Sequence, residues 1–407
     1  MQPRTIISIL AVAALVLGPR VVAAQDFDIV IRQGRVIDPE SGLDAVRNVG
    51  IRGGRIASIS EGALRGRTVI DASGLVVTPG FIDLHRHAHG DNSYRFQVLD
   101  GVTTALELEV GTADVDTWYA KLAPGRLVNY GVAVGHIPVR MKVLGDSGEW
   151  LPSGPATSIA ASDSQLVQIL QMMETGLRHG AVGVGMGLAY TPAASAMEAL
   201  QVYRLAARHG AAVHIHLRGG MSGLIEAIGD ATISGAPLHV VHVNSSGGRN
   251  VRFFIEAIED ARKRGLDVTT EAYPYTAGSS RIESALYADW ESWPDERFAN
   301  YQWVATGERL TRETFSKYRA HGGPVISHTN TEEAVATAIN HPLTMIASDG
   351  GRDDQDMPTH PRAAGAYARV LGRYVREGRG LDLATAIAKM TLMPARRLEA
   401  RVPDMKD

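Results

Sequence analysis

The chain has 407 residues, a net charge of −3 at neutral pH and no cysteine, which suits one large α/β domain with a small companion. Without cysteine there is no disulfide framework and no thiolate ligand, so any metal must be held by His and carboxylates. No basic run recommends a nucleic acid or an anionic lipid surface as partner, and the expected partner is a small-molecule substrate.

The first residues read as an export signal: Arg4 in a short basic start, an apolar core over 6–17, and Val22-Ala23-Ala24 before Gln25 as a cleavage site. That core is shorter than the roughly 20 residues a membrane span needs, and Gly18-Pro19-Arg20 interrupts it. A signal peptide over 1–24 is expected, followed by a periplasmic or secreted mature protein without a membrane span.

Residues 25–78 are strand-like and turn-punctuated. Residues 28–32 alternate, Gln33-Gly34 turns, 35–38 follows, and Gly53-Gly54 joins 49–52 to 55–59 ahead of 68–71. The pattern predicts a small β-sandwich or β-sheet module.

From Pro79 to about residue 400, short apolar runs alternate with helical patterns, the rhythm of βα units on a parallel sheet. Strand one is Pro79-Gly80-Phe81-Ile82-Asp83-Leu84-His85-Arg86-His87, and strand two is Thr103-Thr104-Ala105-Leu106-Glu107-Leu108-Glu109. Further strands are expected over 128–135, 181–186, 211–216, 238–243, 267–271 and 343–349, with helices at 163–179, 194–209, 223–234, 251–264 and 381–393. An insertion rich in Trp and Tyr occupies about 279–318, and 324–328 is a possible extra strand. Eight strands in this rhythm, with no Gly-x-Gly-x-x-Gly after the first, favour a (β/α)8 TIM barrel over a Rossmann sheet.

In such barrels chemistry sits at the carboxyl ends of the strands. Alternation puts His85 and His87 on one face at the end of strand one, a geometry suited to a divalent metal. Glu107 and Glu109 share a face of strand two, with Glu109 nearer its end; His216 ends strand five, His242 strand six and Asp349 strand eight. Ionisable groups on apolar strands are costly unless paired or metal-bound, so the expected metal ligands are His85, His87, Glu109, His216, His242 and Asp349. Glu107 is the alternative to Glu109. Asp349 is also the expected general base, against the simpler role of a helix cap. His214 is expected one layer beneath His216, His239 on the face opposite His242 in a structural role, and His136 at the end of strand three as a possible substrate contact.

With these residues in place, the chain from about 27 to 397 resembles the amidohydrolase superfamily, and within it the N-acyl-D-amino-acid deacylases (D-aminoacylases). The strand-one segment and Gly101-Val102-Thr103-Thr104 look like the superfamily signature. More specific are Gly180-Ala181-Val182-Gly183-Val184-Gly185-Met186-Gly187-Leu188-Ala189-Tyr190-Thr191-Pro192, His216-Leu217-Arg218, Tyr273-Pro274-Tyr275-Thr276-Ala277, His360-Pro361-Arg362 and Lys389-Met390-Thr391. The resemblance implies a barrel carrying one or two zinc ions. His216 and His242 would hold the main metal, with His85, His87 and Asp349 at a second position.

Three departures stand out. The relatives' cysteine ligand after strand two is missing, and Glu109 is its nearest substitute, as a bridging carboxylate; no lysine on strand four offers a carbamylated bridge. Asn244 stands where relatives commonly carry a substrate-holding lysine. Relatives also continue beyond Arg397 with strands that complete the small β-domain, so a truncated tail over 401–407 and an incomplete N-terminal module are expected.

The reaction implied is metal-assisted hydrolysis of a linear amide, the deacylation of N-acyl-D-amino acids, with Tyr190, Arg218, Tyr273 and Arg362 as candidates to bind the substrate. The alternatives are a cyclic-amide hydrolase of the dihydroorotase or hydantoinase kind, and an inactive barrel used as a binding protein.

Overall fold

The computed structural model describes residues 26–123, 125–353 and 355–403; the expected leader lies outside them. No helix among the described residues is long and apolar enough to cross a membrane. The described residues divide into two compact units, 26–36 with 44–77, and 37–43 with 78–403.

In the first unit, strands Phe27–Asp38, Leu43–Arg52, Arg55–Ser60, Gly66–Asp71 and Val76–Val77 join one five-stranded sheet. Gly53 and Gly54, both at positive φ, turn an antiparallel hairpin between Leu43–Arg52 and Arg55–Ser60. Among the described residues the module is one sheet layer rather than a sandwich of two.

The second unit is a (β/α)8 TIM barrel. Its strands are β1 (Phe81–Asp83), β2 (Val102–Thr112), β3 (Asn129–Gly135), β4 (Val184–Gly187), β5 (Val213–His216), β6 (Leu238–Val240), β7 (Val268–Ala272) and β8 (Thr344–Ile346). They pair in parallel and follow one another round the sheet in chain order. Closure falls just past β1 and β8, where Asp349 N–H donates to the His85 carbonyl at 2.8 Å and His87 N–H to the Gly350 carbonyl at 2.9 Å. The Asp83 carboxylate reinforces it, accepting the Ser348 hydroxyl at 2.5 Å and the Ser348 N–H at 3.0 Å.

Outer helices form where the sequence supplies caps and a one-sided apolar stripe. Ser162 and Gln165 make a reciprocal capping box for Asp163–Arg178, which buries Ile169, Met173 and Leu177 at intervals of one turn. Val251–Lys263 buries Val251, Phe254, Ile255, Ile258 and Ala261 in the same way. These faces join the buried strand residues, such as Val213 and Ile215, in one continuous core.

The ambiguous segment at 324–328 is not a barrel strand. Pro324–Ser327 is the middle of a three-stranded antiparallel sheet with Gly278–Arg281 and Tyr301–Trp303. The insertion has its own aromatic core, in which Trp293 stacks on Tyr301 at 5.2 Å and both meet Phe315.

Candidate metal centre and active site

The site begins with an irregularity in β2. Its register against β3 slips between Glu107 and Thr112, so five residues of β2 pass two of β3, and Gly111 takes a positive φ of 69° there. The N–H groups this bulge frees, those of Val110 and Gly111, donate to Glu107 Oε1 at 3.2 and 3.3 Å. The bulge approaches β4 so closely that a Cβ on Gly185 would sit 2.5 Å from the Glu109 carbonyl oxygen. The glycine-rich run of strand four is thus what seats Glu109.

Glu109 lies at the centre of two histidine pairs. Its Oε2 is 3.1 Å from Nε2 of both His85 and His87, and its Oε1 is 2.7 Å from His216 Nδ1 and 3.2 Å from His242 Nε2. Within each pair the two ring nitrogens face each other at 3.0 Å. Asp349 Oδ1 stands 3.5 Å from Nε2 of both His85 and His87. His85, His87 and Asp349 form one group able to hold a cation, and Glu109, His216 and His242 another. Zinc bonds of about 2.0–2.1 Å put two tetrahedral donors roughly 3.3 Å apart, so the donor type and spacing fit that metal.

The far side of each ring shows which nitrogen is free to ligate. His85 Nδ1 meets Glu271 Oε1 at 2.5 Å and His87 Nδ1 meets Glu107 Oε2 at 2.9 Å, leaving both Nε2 atoms facing inward. His242 Nδ1 meets only the Ser246 hydroxyl, at 3.2 Å. Glu107, with both oxygens engaged, orients a histidine and does not share the role of Glu109.

Charge balance points the same way. Burial opposes a proton on His85, yet Asp349, Glu271 and Glu109 raise it well above the ordinary imidazole value, and Glu107 and Asp349 do the same for His87. Burial and then His242 instead push His216 down. Burial also opposes charge on Glu109, but His85 and His216 hold its carboxyl well below the usual range. Four buried carboxylates, Glu107, Glu109, Glu271 and Asp349, surround the pair from β1. Such a field is satisfied by protons or by a cation.

Asp349 caps no helix. It sits past β8 in the left-handed region, at φ 50°, as does His242 at φ 33°; strain of this kind in two facing residues suits a functional site. Its Oδ2 pairs with Arg362 NH1 at 2.8 Å. Burial works against ionisation, but Arg362 and then His85 hold the carboxyl at about 2.

His87, Glu109, His216, His242 and Asp349 line a cavity of about 70 Å³ whose walls include Trp150, Tyr190, Tyr273, Ser279, Ser280 and Arg362. Tyr190 packs its ring on His216, with centroids 4.8 Å apart, and its hydroxyl lies 3.2 Å from that of Ser280. The Arg362 guanidinium lies over the Tyr273 ring at 4.5 Å and donates to the Ser279 carbonyl at 3.3 Å. A wider groove on the insertion, lined by Trp290, Arg312 and Lys317 among others, has no comparable donors.

Three expectations are corrected. Arg218 does not line the cavity: its Nε pairs with Glu226 at 2.9 Å and its NH1 donates to the Ala194 carbonyl at 2.6 Å, so the fork is already used. His136 is buried on Glu198 at 2.8 Å beside Arg140, a structural cluster away from substrate. His239 is not turned away from the site residues: its Nε2 faces Glu271 Oε2 at 3.4 Å. Strand parity misleads there because β6 ends at Val240, two residues before His242. The residue missed is Glu271, and the rule used for the other strands, a carboxylate closing an apolar strand, would have found it at the end of β7.

A family model described as "Amidohydrolase family" matches residues 68–132. The chain is 29% identical to an N-acyl-D-glutamate deacylase of Alcaligenes xylosoxydans xylosoxydans, across 91% of this chain and 83% of that one. It is 28% identical to a D-aminoacylase of the same organism, across 92% and 84%. A solved N-acyl-D-glutamate deacylase from Bordetella bronchiseptica, complexed with zinc and a phosphonate mimic of the reaction tetrahedral intermediate, is similar with a TM-score of 0.77 at 27% identity, covering 91% of this chain and 86% of that one.

Proposed function

We propose that this chain, a relative of the N-acyl-D-amino-acid deacylases in the amidohydrolase superfamily, is a zinc-dependent hydrolase that removes the acyl group from N-acyl-D-amino acids. The observation that carries the reading is the convergence of two histidine pairs on Glu109, with Asp349 facing one pair from across the barrel closure. Zinc held by His85, His87, Glu109, His216, His242 and Asp349 would supply water activation and polarisation of the amide carbonyl.

The chain's own groups supply the rest. Asp349, ionised at neutral pH, can accept a proton at Oδ1, the oxygen turned toward His85 and His87, and return it to the leaving nitrogen. Arg362 fixes that orientation by holding Oδ2. The same arginine has a buried Nε with no acceptor, a donor that a substrate carboxylate would satisfy. Tyr190 and Tyr273 also line the cavity, where they would complete the substrate contacts.

The leader over 1–24 supports export, so the mature enzyme works in the periplasm or outside the cell; amino-terminal sequencing of the mature protein tests this.

The functional test is a panel of N-acetyl amino acids of both hands, dipeptides and cyclic imides, assayed with zinc-loaded protein. Highest kcat/KM is expected on an N-acyl-D-amino acid. A preference for cyclic imides, or no turnover of any amide, would replace this reading.

A further inference from the structure

Glu271 takes no part in the chemistry above, yet it touches both halves of the centre. It ends β7 and is 1% exposed. Its Oε1 lies 2.5 Å from His85 Nδ1 and also accepts the backbone N–H of His242 at 3.4 Å. Its Oε2 faces His239 Nε2 at 3.4 Å, and His239 Nδ1 meets the Thr269 hydroxyl at 2.8 Å, two residues back along the same strand.

A carboxylate buried this deep is costly unless it is partnered. Its partners here are a ring on β1, a backbone amide past β6 and a histidine inside the barrel. Removing His85 would leave Glu271 without its shortest contact. Removing Glu271 would leave His85 free to rotate or to carry its proton on the inward nitrogen, the form that cannot ligate. The His242 amide it accepts belongs to a residue in the left-handed region, a conformation that needs outside support.

We infer that Glu271 is a positioning residue for the metal centre: it fixes His85 with the proton on Nδ1 and the lone pair on Nε2, and His239 braces it from the barrel interior. The inference rests on the metal-binding reading and goes beyond it, because Glu271 faces no substrate and ligates nothing. It acts through His85.

The experiment is zinc binding, measured by competition with a chromophoric chelator, on wild type, Glu271→Gln and His239→Gln, each also melted without metal. Glutamine keeps the size of the side chain but weakens the grip on the imidazole N–H. Glu271→Gln should melt near wild type while the zinc held through His85 weakens by ~10–100-fold, the usual effect of losing an outer partner. The ring nitrogens of His85, followed by nitrogen NMR in the metal-free protein at a pH high enough for the ring to be neutral, should change from one tautomer to a mixture. His239→Gln should weaken zinc in the same direction by less.

A merely structural role predicts a lower melting temperature with zinc affinity and tautomer unchanged, and that result overturns the inference. If Glu271→Gln does not fold, His239→Gln decides: weakened zinc supports the inference and unchanged zinc overturns it. A wild type that binds no zinc overturns both this inference and the functional reading, whereas tight wild-type zinc unchanged by Glu271→Gln overturns this one alone.

Discussion

The two histidine pairs offer the same donors in different settings. His85 and His87, past β1, are each gripped at Nδ1 by a buried carboxylate, Glu271 or Glu107. His242 has only the Ser246 hydroxyl behind it, and His216 offers Nδ1 itself toward Glu109. The carboxylates raise His85 and His87 well above the ordinary imidazole value, whereas burial and His242 lower His216. The difference teaches that the first pair is built to sit beside positive charge, whereas burial disfavours a proton on His216 and His242 presents its ring without a carboxylate behind it. Among the described side chains, Glu109 alone faces ring nitrogens of all four histidines.

The strongest way to break the comparison is to remove what the pairs share. Glu109→Ala should lose zinc from both positions and reduce deacylation by more than the ~10–100-fold that an outer partner costs, as read by metal content beside kcat/KM. Retention of zinc at both positions would mean that the carboxylate bridges nothing.

Asp349→Asn touches only the first pair. Its side chain keeps its size, so zinc at His216 and His242 and the melting temperature should hold while kcat/KM falls ~10²–10⁴-fold, the usual share of a general base. A variant within a few-fold of wild type would remove Asp349 from the chemistry.

A milder comparison sets the outer partners against each other. Glu107→Gln should weaken zinc ~10–100-fold, and Ser246→Ala, which loses one neutral hydrogen bond of about 0.5–1.5 kcal/mol, only about 2–10-fold. Equal effects would show that the carboxylate grip adds nothing to an ordinary hydrogen bond.

These contrasts also explain what was legible in the chain. Ligand-type residues closing apolar strands brought His85, His87, Glu109, His216, His242 and Asp349 to notice, because a barrel turns strand order into one converging rim. The distinction between Glu107 and Glu109 was not legible. It depends on a bulge in β2, where alternation no longer says which carboxylate faces the donors. His239 was misjudged for a related reason: β6 stops before His242 and parity lapses. Arg218 looked available since Glu226, which takes its fork, stands eight residues on in the following helix. The cavity wall from the insertion, Ser279 and Ser280, depends on strand pairings with Ile326 and Val325, 47 and 45 residues further along the chain.

The smallest expected effect contrasts the two ends of β8. Past its carboxyl end Asp349 is charged and paired with Arg362. At its amino end the Lys389 ammonium is buried against the Thr344 carbonyl at 2.7 Å, and burial lowers its pKa from 10.5 to about 7. Between about 7 and 10.5 the unfolded chain holds this proton and the folded chain does not, so this group's contribution to stability rises with pH across that window. Lys389→Met should flatten the rise in melting temperature from pH 7 to 10. A wild-type curve that falls across that range, or a variant with the same slope, would show that the lysine keeps its proton in the fold.

The central claim is that zinc held by these residues makes the chain a deacylase. The most direct measurement strips the protein with a chelator and follows hydrolysis of an N-acyl-D-amino acid as zinc is added back in counted equivalents. Activity should vanish on stripping and return in proportion to bound zinc, with the L-isomer turned over far more slowly throughout. Full turnover by the stripped protein, or zinc binding that restores none, would contradict the account.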